Sequence, residues 1–233
     1  MNSSRCLAAA AVAGTLLAAG APLSQGREAK GLQRTIQLPK PSTEGAVSVE
    51  KAIQRRRSVR SFGERPLTLA QASQLLWSAQ GVTEAKKGLR SAPSAGACYP
   101  LEAYLVAGAV DGLAPGVYRY SPRGHLLALL SEGDARARLK EKGRTQQMIG
   151  RAPATIVVSA DLGRIRPRYR DRAERYTHME AGHAGQNVSL QAEALGLGTV
   201  MVGAFDDAGV KNALGLPSGE TPLYLIPIGV PGN

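Results

Sequence analysis

The stretch "RAERYTHMEAGHAGQNVSLQAEALGLGTVMVGAF", Arg172 to Phe205, holds the longest helical pattern of the chain, followed directly by a strand pattern. We predict a helix from about Arg172 to Leu195 and a strand over "GTVMVGAF". Small residues fill the middle of this helix, at Ala181, Gly182, Ala184 and Gly185. Since each glycine costs a helix about 1 kcal/mol, they indicate that another helix or a ligand approaches closely here.

Further strand patterns lie on both sides of this helix. Short β-rich segments, broken by glycine or proline, are "EAYLVAGAV", "GVYRYSP" and "HLLALL". The run "ATIVVSADL" is continuously apolar, which is typical of a strand that is buried on both faces. The last strand pattern is "PLYLIPIGV".

Helical patterns open and close this run of strands. Ser48 is placed to cap a helix over "SVEKAIQRRR", and Thr68 opens the amphipathic "TLAQASQLLWSAQG". Shorter helices are predicted in "EGDARARLKEKGR" and "DDAGVKNALGL". Helices, then strands, then alternating elements predict an α+β fold in which helices flank a central, mainly antiparallel sheet.

The amino terminus has the layout of a secretory signal peptide. One arginine precedes an apolar run from Leu7 to Ala19, and small residues and a proline follow. We predict a signal peptide over residues 1–25, a linker or surface arm over 26–46, and one folded domain over 47–233. The protein is then exported, to the periplasm or the medium, with no stable membrane association after cleavage. An uncleaved membrane anchor is the alternative.

The charge of the chain raises the question of anionic partners. The 233 residues carry a formal net charge of +11, but only 4% of them are aromatic. Proteins that bind single-stranded nucleic acid stack its bases on aromatic side chains, and this chain has few of them. No nucleic-acid-binding motif is visible either. We therefore predict no nucleic-acid partner. No metal site is predicted either, because the pair Glu180 and His183 has no third ligand nearby in the sequence.

Arginines crowd around one serine in "RRRSVRSF", Arg55 to Phe62. Guanidinium groups bind phosphate oxygens in pairs, so Arg56, Arg57, Ser58 and Arg60 would suit a phosphate monoester. The alternative is a solvated basic helix end, which the helix dipole also favours.

Two small-residue segments could approach a flat ligand. The loop "RSAPSAGACYPLE" combines Pro93, Ser94, Gly96 and Pro100 ahead of a strand, and its small residues let backbone N–H groups reach such a ligand closely. The alternative is a turn-rich connection. In "VMVGAFDD", Gly203 follows Val202 at the end of the predicted strand, where a backbone N–H can donate without a side chain in the way.

These segments, in this order, resemble the nitroreductase superfamily of FMN flavoproteins, and within it most closely the SagB-type dehydrogenases. The other matching segments are "PLTLAQASQLLWSAQGV", "PGVYRYSP" and "PLYLIPIGV", so the resemblance runs from about residue 48 to the carboxyl end. It implies a homodimer of α+β subunits with its FMN sites at the subunit interface, and makes residues 47–233 the FMN-binding domain.

The resemblance also implies roles for the singled-out residues. The arginine cluster with Ser58 would bind the FMN phosphate and ribityl chain. Pro93 to Gly96 would approach the flavin from the partner subunit, and Val202 and Gly203 would lie near its N5 edge. The long helix with Gly182 and Gly185 would pack at the dimer interface.

The expected activity is that of an FMN-dependent dehydrogenase oxidising a peptide or a small molecule. A reductase of nitroaromatics or quinones that uses NAD(P)H is the first alternative, and a non-catalytic basic binding protein is the second. Azoline oxidases of the group carry a Lys-Tyr pair where this chain has Arg168 and Tyr169. Arginine stays protonated and cannot act as a base, so azoline oxidation is in doubt.

His183 completes the set of candidate catalytic residues. It follows Glu180 at a helical i, i+3 spacing, which suits a proton relay or a helix-packing role.

Overall fold

The structure is a computed structural model that describes residues 34–143 and 147–232. The predicted signal peptide and the first residues of the predicted arm lie outside the described residues. The described strands are, in chain order, β1 Thr35–Gln37, β2 Leu67–Thr68, β3 Val82–Glu84, β4 Leu89–Arg90, β5 Leu101–Ala107, β6 Val110–Asp111, β7 Gly116–Ser121, β8 Leu126–Glu132, β9 Ala154–Asp161, β10 Gly198–Thr199 and β11 Glu220–Gly229. The α-helices are α1 Val49–Arg55, α2 Leu69–Gln80, α3 Arg136–Lys142, α4 Met148–Arg151, α5 Arg166–Tyr169, α6 Ala173–Ala194 and α7 Asp207–Leu214.

Seven strands form one antiparallel sheet in the order β1-β8-β7-β5-β9-β11-β10. The predicted α+β fold with a mainly antiparallel sheet is confirmed. The apolar run "ATIVVSADL" forms β9, which lies between β5 and β11 and is buried along almost its whole length. A strand flanked on both edges and both faces has no solvent side, which explains why its sequence does not alternate.

Helices cover both faces of the sheet. Along β5, Leu101 and Leu105 belong to a core that includes residues of α2 and α6, whereas Tyr104 and Val106 belong to a second core with residues of α3, α4 and α7. This alternation follows from the two-residue period of a strand. The sheet is therefore the middle layer of three.

Local signals in the sequence set the bounds of α2. The Thr68 hydroxyl accepts from the Gln71 N–H, and the Gln71 side chain returns a bond to the Thr68 N–H. This capping box satisfies two N–H groups that the first turn would otherwise leave unpaired. The predicted apolar face is confirmed, and it packs against α6.

Part of the predicted arm belongs to the sheet. Thr35–Gln37 pairs with β8 at the sheet edge, and Leu38 is buried beside it. The Ser73 hydroxyl donates to the Pro39 carbonyl at 2.6 Å, which fixes the following residues to α2. The polar composition of residues 26–46 did not indicate this strand, because an edge strand needs only one partner and little apolar surface.

The strand predicted over "GTVMVGAF" is shorter than expected. Only Gly198–Thr199 forms β10, and Val202 makes an isolated bridge to Leu225. Thr199 pairs with Ile228, so the same register places Pro227 opposite the residue after Thr199. Proline has no N–H to donate, and the Thr199 hydroxyl donates a hydrogen bond to the Pro227 carbonyl at 2.7 Å. The pairing with β11 is therefore interrupted between Thr199 and Val202.

Backbone pairing with β10 fixes the chain that follows α1. Ser58 bridges Thr199, and the Val59 N–H donates to the Thr199 carbonyl at 3.0 Å. Gly198 makes room for this approach, because a Cβ there would stand 2.6 Å from the Cβ of Val59. The segment "RRRSVRSF" is thus attached to the end of the sheet.

Among the helices of the described ranges, none combines the length and the apolar character that crossing a bilayer would need.

We expect Gly198→Ala to lower the free energy of unfolding by about 1–3 kcal/mol, since the new methyl group collides with Val59. The matched control is exposed Gly219→Ala, where a Cβ meets nothing within 4 Å and φ is not positive, so the free energy of unfolding should change by less than about 0.5 kcal/mol. Urea denaturation of both variants measures the difference. A Gly198→Ala protein as stable as the wild type would contradict the described packing.

Candidate functional site

The predicted phosphate-binding residues lie where α1 ends. Arg56 follows the last helical turn, and Arg57 and Arg60 point into solvent. Arg57 donates to the carbonyls of Gln54 and Arg56 at 3.0 and 2.9 Å. None of the three arginines has a carboxylate partner among the described residues. Their positive charge is therefore available to an anion.

The backbone of the second segment, the loop from Pro93 to Tyr99, is strained. A 3-10 turn spans Ala95–Ala97, and φ is positive at Gly96 (57°), Ala97 (53°) and Tyr99 (47°). Non-glycine residues rarely adopt this region, which costs of order 1 kcal/mol or more at each. The Ser94 hydroxyl accepts the Tyr99 N–H at 2.9 Å and closes the loop on itself.

Charged side chains hold this loop from outside. Arg164 donates to the Tyr99 carbonyl at 3.2 Å and pairs with Glu102, which also binds Arg119 at 2.9 Å. The Arg90 guanidinium lies 4.5 Å from the centre of the Tyr99 ring. Burial would raise the pKa of Glu102, but the two arginines outweigh it and hold the pKa below its ordinary value. The contacts together offset the strain of the loop.

The structure brings two predicted parts of the site together at Gly96. Arg168 donates to the Gly96 carbonyl at 3.3 Å. A Cβ at Gly96 would lie 2.7 Å from the Tyr169 hydroxyl and 2.8 Å from the central carbon of the Arg168 guanidinium. Helix α5 therefore rests directly on the loop, and only glycine fits beneath it. The Tyr169 ring also packs edge-on against Tyr176, with centroids 5.0 Å apart.

Val202 and Gly203 differ in what they can offer a ligand. The Val202 side chain is buried, and its N–H and carbonyl both pair with Leu225, at 2.9 and 3.0 Å. Gly203 is exposed, and its N–H has no partner within the described ranges. The Val202 backbone is thus engaged and positions Gly203, so Gly203 is the residue whose N–H remains free to donate.

The small residues of α6 do not all face outward. A Cβ at Gly185 would stand 2.9 Å from the Met201 sulfur, so this close approach occurs within one chain. Gly182 is exposed with open space around it. Of the two glycines predicted at a dimer interface, only Gly182 is free to meet another subunit.

His183 lies exposed on α6, with no hydrogen bond or ion pair in the part of the chain that the structure describes. No contact joins it to Arg168 or Tyr169, so its catalytic role stays a prediction. The described residues contain no cluster of histidine, cysteine and acidic side chains that would hold a metal ion.

Glu180 was singled out in the sequence only through its spacing to His183, and its burial was not predicted. It is 2% exposed, and neither carboxyl oxygen has a hydrogen-bond partner of normal geometry among the described residues. Burial raises its pKa to about 7, although the nearby Ser94 hydroxyl and the Arg90 charge both lower it. The available signal was its position on the apolar face of the helix, in line with Thr177 and Ala184.

Further unpaired polar atoms lie around Arg90. Arg90 donates to the side-chain oxygen of Gln80 at 2.8 Å. The side-chain nitrogen of Gln80 and the Ser91 hydroxyl are buried without a partner in the described structure. Buried polar groups are normally satisfied, and those that are not often mark functional sites. Ser91 lies three residues before Ser94 of the loop.

The chain also matches a known protein family. The family described as "Nitroreductase family" matches residues 53–230, which is most of the chain. The chain belongs to the nitroreductase family. The matched range includes the arginine cluster, the Ser94 loop, Tyr169 and Gly203.

Individual relatives support the assignment to the nitroreductase family. A Methanocaldococcus jannaschii protein named "Putative nitroreductase" is 40% identical over 195 residues, covering 84% of this chain and 96% of that protein. A crystal structure from Ralstonia eutropha with the same description superimposes with a TM-score of 0.75 at 30% identity, covering 86% of this chain and 91% of the other. An NADPH:FMN oxidoreductase from Vibrio harveyi has a TM-score of 0.57 at 20% identity, covering 79% and 69%, and shares the fold.

We expect Gly96→Ala to destabilise this nitroreductase-family chain more than Gly88→Ala does. Both glycines have positive φ, 57° and 66°, so both variants carry the same kind of backbone cost. Only Gly96→Ala also displaces Arg168 and Tyr169, which should add about 1 kcal/mol or more. Urea denaturation compares the two, and equal losses would show that α5 does not rest on the loop.

We expect Glu180 to make stability depend on pH. Its pKa is raised from 4.5 to about 7 in the folded chain, so the folded state loses stability as pH rises through this range. The loss is about 3 kcal/mol at most, and Glu180→Gln should remove it. Unfolding of both proteins at pH 5 and pH 8 measures this, with exposed Glu84→Gln as control. The same pH profile in Glu180→Gln and wild type would refute it.

Proposed function

We propose that the chain is an FMN-dependent oxidoreductase. The observation that carries the proposal is the arginine cluster at the end of α1, with guanidinium groups that no described carboxylate neutralises and a backbone fixed to β10. Arg56, Arg57 and Arg60 provide forked donors, and Ser58 provides an exposed hydroxyl. This donor set fits a phosphate monoester such as that of FMN.

The rest of the proposed site would hold the ring system. The loop from Pro93 to Gly96 presents backbone and small side chains, and Gly203 presents a free N–H. FMN, when bound, supplies hydride transfer at its N5 atom, while the protein supplies binding, orientation and electrostatics. The likeness to the V. harveyi enzyme, named for its use of FMN, supports this choice at the level of the fold.

We further propose that two copies form a homodimer that completes each site. Large apolar side chains stand exposed on α1, where Val49 and Ile53 are 64% and 57% exposed, and on α6, where Met179 is 50% exposed. Val49 and Ile53 lie one helical turn apart, and adjacent exposed apolar side chains of this kind favour an interaction surface there. Within one chain, no described hydrogen bond joins the Pro93–Gly96 loop to the arginine cluster, so a partner's loop can serve that cluster.

For the direction of the reaction, dehydrogenation of a peptide or small molecule in the SagB manner is our first proposal. Tyr169 is the residue that can hold or pass a proton there, since Arg168 stays protonated and binds the Gly96 carbonyl. Reduction of nitroaromatics or quinones is the second candidate, favoured by the name of the M. jannaschii relative. Anaerobic mixing of the FMN-loaded protein with NAD(P)H separates the two candidates. Only a reductase should be reduced rapidly by NAD(P)H and lose its yellow flavin absorbance.

Two properties predicted from the sequence complete the proposal. We propose that the enzyme is exported, away from cytosolic NAD(P)H, which favours the dehydrogenase. We also propose that its net charge of +11 serves small anionic groups and not nucleic acid.

We expect the double variant Arg56→Ala/Arg60→Ala to bind FMN at least tenfold more weakly than the wild type, because two phosphate-binding cations are lost. The matched control, Arg123→Ala/Arg138→Ala, removes the same charge from exposed positions in the β7–β8 turn and in α3. Quenching of flavin fluorescence measures both affinities. A colourless wild-type protein that takes up no FMN would refute the proposed function, and equal affinities of the two variants would refute the role of the cluster.

A further inference from the structure

Glu180 differs from the other buried acids of the chain. Glu102 is paired with two arginines, and Glu220 accepts hydrogen bonds from Tyr104 at 2.7 and 2.9 Å and from Ser159. Glu180 is as deeply buried, yet both of its carboxyl oxygens lack a hydrogen bond of normal geometry in the described structure. An acid that only stabilised the fold would have its oxygens satisfied, as the other two do.

The surroundings of Glu180 lead directly to the loop. Helix α6, which carries Glu180, packs against the turn Ala95–Ala97 that directly follows Ser94. The Ser94 hydroxyl and the charge of Arg90 in β4 both act to lower the pKa of Glu180, and Arg90 is the charged side chain near it among the described residues. On α6 itself, Tyr176 and His183 lie one turn before and after it. Arg90 donates to Gln80 and lies over the Tyr99 ring. Its charge therefore stays near the carboxyl group of Glu180 without forming an ion pair with it in the described structure.

We propose that Glu180 is a proton-dependent positioning residue, which decides whether the Ser94 hydroxyl can donate a hydrogen bond to the flavin. The proposal rests on the proposed function and deepens it, since it assigns a control element to the same site. Nothing in the proposed chemistry otherwise uses this carboxyl group.

The single proton of the Ser94 hydroxyl links the two groups. Ser94 has a single O–H to donate and two lone pairs, one of which accepts the Tyr99 N–H. When Glu180 is ionised, the Ser94 hydroxyl donates its hydrogen bond to the carboxylate, because a charge-assisted hydrogen bond is stronger than a neutral one. When Glu180 is protonated, its own O–H donates to the second lone pair of Ser94. The Ser94 proton is then free to point towards the ligand.

The expected consequence is an affinity for FMN that falls as pH rises through neutrality. The protonated state of Glu180 gives the ligand one more hydrogen-bond donor than the ionised state does, which is worth about fivefold to tenfold in affinity. The FMN phosphate also titrates, near pH 6, so the wild-type profile alone is not decisive. A variant that keeps the phosphate but loses the carboxyl proton provides the comparison.

The test is the dissociation constant of FMN between pH 5.5 and 8.5 for the wild type, Glu180→Gln and Ser94→Ala. We expect the wild type to lose about fivefold to tenfold more affinity over this range than either variant. Ser94→Ala should bind weakly at every pH. Glu180→Gln, which cannot ionise, should show only the change due to the phosphate, whose second ionisation strengthens binding to the arginines as pH rises. Parallel profiles for all three proteins would overturn the role of Glu180 and leave the proposed function standing.

A second measurement needs no flavin and does not depend on Glu180→Gln folding. Carbon-13 NMR of the glutamate carboxyl groups follows Glu180 directly in the wild type and in Ser94→Ala. We expect the pKa of Glu180 to rise in Ser94→Ala, because the hydroxyl that stabilises the carboxylate is gone. An unchanged pKa would overturn the coupling, whereas a wild-type protein that binds no FMN at any pH would overturn the proposed function and this inference together.

Discussion

The hydrogen bond from the Val59 N–H to the Thr199 carbonyl fixes the relation between the arginine cluster and the sheet. With the Ser58–Thr199 bridge, and with Gly198 making room for Val59, it holds a run of like charges at one place on the end of β10. Like charges repel, and a free helix end would spread them into solvent. The paired backbone keeps the cations together although their side chains reach solvent, so an anion bound between them would reduce the repulsion.

The second constraint is the strained loop around Tyr99. Its positive φ angles at Ala97 and Tyr99 persist because Arg164 binds its carbonyl, Arg90 covers its ring and α5 rests on Gly96. These contacts come from three separate parts of the chain, which makes the loop rigid before any ligand arrives. Preorganisation of this kind lowers the entropic cost of binding. Glu180, buried directly behind the loop, is the variable element in an otherwise fixed structure.

Local signals predicted much of the fold. The capping residues of α2, the length of α6 and the apolar run of β9 each depend on neighbouring residues, and the structure confirms all three. The short β10 was missed because Pro227, the residue that interrupts the ladder, lies in another strand, and the edge strand β1 was missed because its partner lies about ninety residues away. In the site, the residue types of the arginine cluster and the Ser94 loop were sufficient to propose a phosphate and a flat ligand. The engagement of the Val202 backbone and the burial of Glu180 follow from tertiary packing, which no local pattern encodes.

The affinities of FMN and riboflavin for the wild-type protein, measured at low and at high salt, test the central claim most directly. The two ligands share the ring system and differ only in the phosphate. If the arginine cluster binds that phosphate, FMN should bind on the order of a hundredfold more tightly than riboflavin, and the difference should shrink as salt screens the charges. Equal affinities at low salt would contradict the account, because the cluster fixed to Thr199 would then have no part in holding the cofactor.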